Sequence, residues 1–197
     1  VYQRHTDRAA DGIARTKSLY QDVLASYGYD GNIYPKKKWI ITEIAVPRKP
    51  FGDYFGSDEL QINYLIKAYF ACEKNEIEAM HIYDMSESHF FDDAVSEFQL
   101  MGLFQRLFGV LPYQQIKNQQ AHAYKTVSDL LYGSTYDPTK EAALNLPEGI
   151  RGAAFLDKDG HYTYVLWAET SIDNSEFAEG VFSFPANFNI SLLEKRT

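Results

Sequence analysis

One carboxylate stands out by its surroundings. The segment Trp39-Ile40-Ile41-Thr42-Glu43-Ile44-Ala45-Val46 is β-branched and apolar throughout except at Glu43, a few residues before Pro47. A carboxylate within such a run costs several kcal/mol unless it is paired or faces a polar cleft at the strand end. A Glu placed there can act as a nucleophile or as a proton donor and acceptor. The other reading is an ion-paired core Glu meeting an Arg from another element.

Other chemistries find little support. The chain shows no Gly-rich phosphate loop, no His-Glu-x-x-His and no Gly-x-Ser-x-Gly. Asp157-Lys158-Asp159-Gly160 mimics the start of a calcium loop, but the twelfth position is Ala168, and a tight hairpin turn explains the run better. Cys72 is the only cysteine, which excludes an internal disulfide or a Cys-based zinc cluster, and it reads as buried filler. His81 lies in a strand, where a core histidine is expected, and Trp167 reads as core packing.

The elements that must position Glu43 follow from periodicity. Ile13, Tyr20, Val23, Leu24 and Tyr27 predict a helix over Thr6 to Tyr27, closing at Gly28. The run from Trp39 to Val46 reads as a strand buried on both sides, as in a parallel sheet. Ser57 before Asp58 and Glu59 is an N-cap that opens a helix with Leu60, Tyr64, Leu65, Ala68 and Tyr69 on one face. Ile77 to Tyr83 is the next strand, so strand, helix and strand form a βαβ unit. Two helical stretches are expected next, one marked by Leu100, Leu103, Phe104, Leu107 and Phe108, the other running from Ile116 to Leu131. Arg151 to Leu156 and Tyr162 to Ala168 then flank a turn as a hairpin, with further strands at Val181 to Phe184 and Phe188 to Leu193. Pro138, Pro147 and Gly149 interrupt the chain between these halves. Residues 1–135 and 136–197 are therefore expected as two domains, the second a small antiparallel β-domain.

Composition sets the outer bounds. The chain has 197 residues, a formal net charge of −8, 15 Tyr and 13 Phe, and it does not begin with Met. The acidic balance argues against nucleic-acid phosphates or anionic lipid as partners, since both need a basic face. No apolar run approaches the roughly 20 residues of a membrane span. The aromatic richness suits a surface that stacks on sugars.

A family resemblance attaches to these motifs. The segment KKKWIITEIAVP resembles the seventh strand of the (β/α)8 barrel in the large clan of retaining glycoside hydrolases, whose strand ends in the nucleophilic Glu. DELQINYLIKAYFACEKNEIEAMHIYDMSE is similar to that clan's helix with an early Gln followed by the eighth strand. MGLFQRLFGVLPYQQIKNQQAHAYKTVSDLL resembles its closing Gly-Leu segment and terminal helix, and IRGAAFLDKDGHYTYVLWAET its accessory β-domain.

The resemblance implies an α/β fold: the C-terminal portion of a (β/α)8 TIM barrel followed by a small antiparallel β-sandwich-like domain. It implies a glycoside hydrolase with Glu43 as nucleophile, acting on an oligo- or polysaccharide and secreted or periplasmic; no cofactor is named, and a bound metal is neither indicated nor excluded. His5 would fall at the end of strand six, with Val1 to Arg4 as the tail of that strand. Tyr83 and Asp84 would end strand eight, where the clan commonly has a Trp beneath the sugar, and Glu87 would follow in the loop as a further sugar contact. His5 reads equally as a solvated loop residue beside an N-cap at Thr6 or Asp7, and Tyr83 as a core or rim aromatic. The mechanism needs a second carboxyl group roughly 5–5.5 Å from the first. The strand bearing it would precede Glu43, where too few residues exist. Since a barrel takes about 250 residues, the acid/base is expected on the N-terminal remainder of the barrel. The rival expectation is a non-catalytic carbohydrate-binding or scaffolding protein on a degenerate barrel, and a third is an intact small α/β domain with an appended β unit and an unrelated role.

Overall fold

The computed structural model describes residues 5–109, 111 and 114–188. Its elements in chain order are helix α1 (Thr6–Ser26), strand β1 (Trp39–Ile44), helix α2 (Asp58–Lys74), strand β2 (Ile77–Ile82), helix α3 (Gln119–Leu131), strand β3 (Thr135–Tyr136), helix α4 (Pro138–Ala143), and strands β4 (Ile150–Leu156) and β5 (Tyr162–Ala168). A 3-10 turn at Glu97–Leu100 lies between β2 and α3.

Local sequence accounts for most of these elements. The Ser57 hydroxyl accepts a hydrogen bond from Leu60 N at 3.0 Å, and Asp58 and Glu59 fill the first turn of α2. Ser57→Ala is expected to cost about 1 kcal/mol of stability in urea unfolding. The hairpin β4–β5 pairs Ile150 with Ala168 through Leu156 with Tyr162. Its turn is held by Asp157 Oδ1, which accepts from the backbone N–H groups of Asp159 and His161 at 2.8 Å each.

The architecture corrects the expected fold. The chain is a mixed α/β protein with two small sheets, a parallel pair β1–β2 and an antiparallel set β3–β4–β5, and is not a portion of a TIM barrel. A barrel needs its parallel sheet to continue from strand to strand, yet among the described residues β1 and β2 pair only with each other. The β-sandwich-like expectation fails for a related reason. The antiparallel sheet is one three-stranded layer backed by α2, with no second sheet facing it among the described residues. Val181 to Phe184 forms no strand; Phe184 packs edge-on against Tyr164 at 5.9 Å, so side chains rather than a backbone ladder hold it. The expected strand residues 189–193, and residues 1–4, lie outside the described residues.

Two further expectations change. Strand β1 is not buried on both sides: Ile40, Thr42 and Glu43 are exposed and only Ile44 is buried. The stretch expected as a helix around residues 100–108 is extended, because its backbone bonds to neighbouring loops. Leu103 N donates to Asp84 O, Phe104 N to Met85 O and Gln105 N to Ile116 O. Gly102 permits this contact, since a Cβ there would lie 2.3 Å from Glu87 N. Gly102→Ala must push two backbones apart, and a loss of about 1–3 kcal/mol in chemical unfolding is expected.

Helix α2 is the centre of the molecule. Leu60, Tyr64, Leu65 and Ala68 join Ile44, Val46 and Ala9 in one core cluster. Phe70 enters a second with Leu131, Ala153 and Phe155, and Trp167 stacks on it at 5.6 Å. Cys72 is buried in α2, and burial pushes its thiol pKa up to about 12. His81 is exposed on β2 rather than in the core.

Candidate functional site

Strand β1 carries a register shift at the position of interest. From Ile41 to Ile44 it advances three residues while β2 advances two, from Met80 to Ile82, which places a bulge at Thr42 and Glu43. A bulge re-aims side chains locally. Thr42 and Glu43 are consecutive, yet both are exposed, which a regular strand with one face against the core would not allow. Glu43 makes no hydrogen bond or ion pair among the described residues.

Glu43 lies on the wall of a cleft of about 540 Å³. Strand β1 and the residues that follow it, to Pro47, form one side, and α1 forms the other through Ile13, Thr16, Lys17 and Tyr20. Tyr54, Phe55, Tyr83 and Phe98 contribute rings. Tyr83 is held at the end of β1 by its backbone N–H, which donates to Ile44 O at 2.9 Å. Its ring meets Phe98 edge-on with centroids 6.3 Å apart. Glu43 is the only carboxylate among the described residues that line this cleft.

The structure therefore brings Glu43 and Tyr83 together and leaves His5, Asp84 and Glu87 outside the wall. His5 is the N-cap of α1; its Nδ1 accepts from Arg8 N at 3.3 Å. Asp84 follows Tyr83 through a cis peptide bond, and its Oδ1 is buried without a hydrogen-bond partner among the described residues. Burial holds its carboxyl above the ordinary carboxylate range. Glu87 is buried, with Arg48 Nη1 at 3.2 Å from Oε2 and Asn118 Nδ2 at 2.9 Å from Oε1. Burial raises its pKa despite Arg48 and Asn118. Its carboxylate thus ties the loop after β2 to the loop after β1, where Arg48 also donates to Asp58 at 2.7 Å.

The cleft's carboxyl end is held by Gln61, the early Gln of the α2 segment, and by Gln120, to neither of which sequence patterns assigned a structural role. Gln61 Nε2 donates to Val46 O at 2.8 Å and Leu100 O at 3.1 Å, while Gln120 Nε2 reaches Met101 O and Gly102 O at 2.8 Å each. Both are polar side chains next to apolar helical positions, which is the signal that would have found them. Phe98 is a cleft aromatic that strand and helix patterns did not mark.

Comparison with known proteins adds no assignment: the sequence matches no protein-family model, no curated protein and no solved structure. Among the described residues, no helix is long and apolar enough to cross a membrane, and no cluster of three or more His, Cys, Asp or Glu could hold a metal ion.

Proposed function

We propose that the β1 cleft binds carbohydrate and that the protein acts on glycosidic bonds with retention, using Glu43 as nucleophile. The observation that carries this reading is the Glu43 carboxylate, unpartnered among the described residues, on a residue that sits at a strand bulge and lines a cleft with aromatic rings. Rings such as Tyr83 and Phe98 can stack on the apolar face of a pyranose. The local motif WIITEIAVP, which resembles the nucleophile strand of retaining glycoside hydrolases, agrees with it. Retention requires a second carboxyl group as acid/base. In this proposal a segment outside this chain supplies it, and the substrate is an oligo- or polysaccharide met by a secreted or periplasmic protein.

A second reading is a carbohydrate-binding protein without catalysis. The single carboxylate in the described cleft wall favours it.

Activated fluoroglycosides separate the two. In a 2,4-dinitrophenyl 2-deoxy-2-fluoroglycoside the bond from C1 to the phenolate oxygen breaks as a Glu43 oxygen bonds to C1, and dinitrophenolate leaves without needing an acid. Incubation with the gluco, galacto, manno and xylo compounds should add one fluoroglycosyl group to the peptide containing Glu43, read by mass spectrometry. Reversible binding of oligosaccharides with no adduct supports the binding protein. Neither adduct nor binding sinks both.

A further inference from the structure

We infer that a patch on the loops that follow β1 and β2 recognises an anionic sugar, through Lys49 and Arg106 set against the exposed rings of Phe90 and Phe91. The inference rests on the carbohydrate reading above and narrows its substrate class.

The loops that follow β1 and β2 meet here. Phe90 and Phe91 are each 42% exposed. Every ring in this patch has a cation or another ring against it. The Arg106 guanidinium lies 4.8 Å from the Phe90 centroid, and Lys49 Nζ lies 5.2 Å from that of Phe91. Phe108 meets Phe90 edge-on at 5.6 Å. Lys49 Nζ also donates to Phe91 O at 2.6 Å, so the ammonium is held in place across the two loops.

The charges decide the ligand class. The neighbouring Arg48 is neutralised by Asp58 and Glu87. Lys49 and Arg106 pair with no carboxylate among the described residues, although Asp53, Asp92 and Asp93 stand on the same loops. A neutral glycan would meet the rings and leave both cations without an anionic partner. A sugar bearing a carboxylate or a sulfate ester would stack on Phe90 and Phe91 and give its anion to the guanidinium, whose planar fork suits an oxyanion, and to the ammonium.

Calorimetric titration with three oligosaccharide probes tests this: hexagalacturonate for carboxylate, a chondroitin sulfate hexasaccharide for sulfate, and cellohexaose as neutral control. The expected result is binding of one or both anionic probes at least tenfold tighter than cellohexaose, weakening as salt rises. Lys49→Gln and Arg106→Gln should each reduce that affinity about tenfold and leave cellohexaose unchanged, with melting temperature unaltered. Because Lys49 also joins two loops, Lys49→Arg serves as its control and should retain tight binding. Equal affinity for charged and neutral probes, no binding of the anionic probes, or anionic affinity unmoved by both Gln variants overturns the inference. These outcomes are read apart from covalent labelling at Glu43: labelling without anion preference defeats only this inference, and anion binding without labelling defeats only the hydrolytic reading.

Discussion

Glu43→Ala is expected to lower turnover of activated aryl glycosides on the order of 10⁴-fold or more, the scale seen when a covalent nucleophile is removed. The diagnostic result is its partial rescue. Azide is small and strongly nucleophilic, so it can enter the space left by the carboxylate and attack C1 from the same face. The product should be a glycosyl azide with inverted configuration, identifiable by NMR. Glu43 is exposed at the β1 bulge without a partner among the described residues, so the variant should melt with wild type. Loss of activity with a lowered melting temperature and no glycosyl azide would instead make Glu43 structural. A variant that turns over substrate as well as wild type would remove Glu43 from the chemistry.

The second large effect concerns stability. Lys67 is 7% exposed and Asp7 1%, and they form an ion pair at 2.6 Å between α2 and the start of α1. All three ammonium protons have acceptors: Asp7 Oδ2, Thr6 Oγ1 at 2.9 Å and Thr170 Oγ1 at 2.7 Å. Asp7 is satisfied as fully, by Trp167 Nε1 at 2.9 Å and the backbone N–H of Thr170 at 2.8 Å. Glu176 extends the network, accepting from Thr6 Oγ1 at 2.7 Å and Asn63 Nδ2 at 2.8 Å. The network joins α1, α2 and the end of β5. Lys67→Met leaves the Asp7 carboxylate buried without its main partner, and a cost of about 3–5 kcal/mol is expected in urea unfolding. Replacing both partners, as in Lys67→Met with Asp7→Leu, should recover part of that loss. A change under 1 kcal/mol for the single variant would show the pair to be incidental.

The same pair sets a pH dependence. Burial pushes the Asp7 carboxyl up, but hydrogen bonds from Lys67, Trp167 and Thr170 outweigh it and hold the folded value below the ordinary 3.8. A lowered carboxylate pKa contributes stability that is fully present above the unfolded value and is lost as pH falls through the folded one. The gap between wild type and Lys67→Met should therefore be widest above pH 3.8 and narrow below it. Glu87 has the opposite sign. Burial raises it above 4.5, so its contribution is present below that pH and fades as pH rises through the folded value.

How much of this was legible in the sequence differs element by element. Helix α2 is marked from both sides, by its Ser57 cap and by apolar residues at helical spacing, so its start was readable to the residue. The hairpin β4–β5 was equally plain, because alternation and an Asp-Gly tip are both local signals. The stretch after β2 was misread. Leu100, Leu103, Phe104, Leu107 and Phe108 have helical spacing, but Gly102 lets the backbone approach Glu87 so closely that cross-loop hydrogen bonds replace the helical ones.

The candidate site divides in the same way. Amino-acid sequence alone placed a carboxylate near the carboxyl end of an apolar strand and an aromatic at the end of the next, because strand identity and side-chain polarity are local properties. Sheet size, the bulge that turns Glu43 outward, and the pairing of Asp7 with Lys67 across 60 positions were settled only by tertiary structure. Each depends on which distant backbone or charge arrives beside the residue, and hydrophobic periodicity carries no record of that. A run of β-branched residues fits an exposed two-stranded pair as well as a closed barrel. What separates them is the supply of hydrogen-bonding neighbours for the strand edges, which is a property of the folded whole.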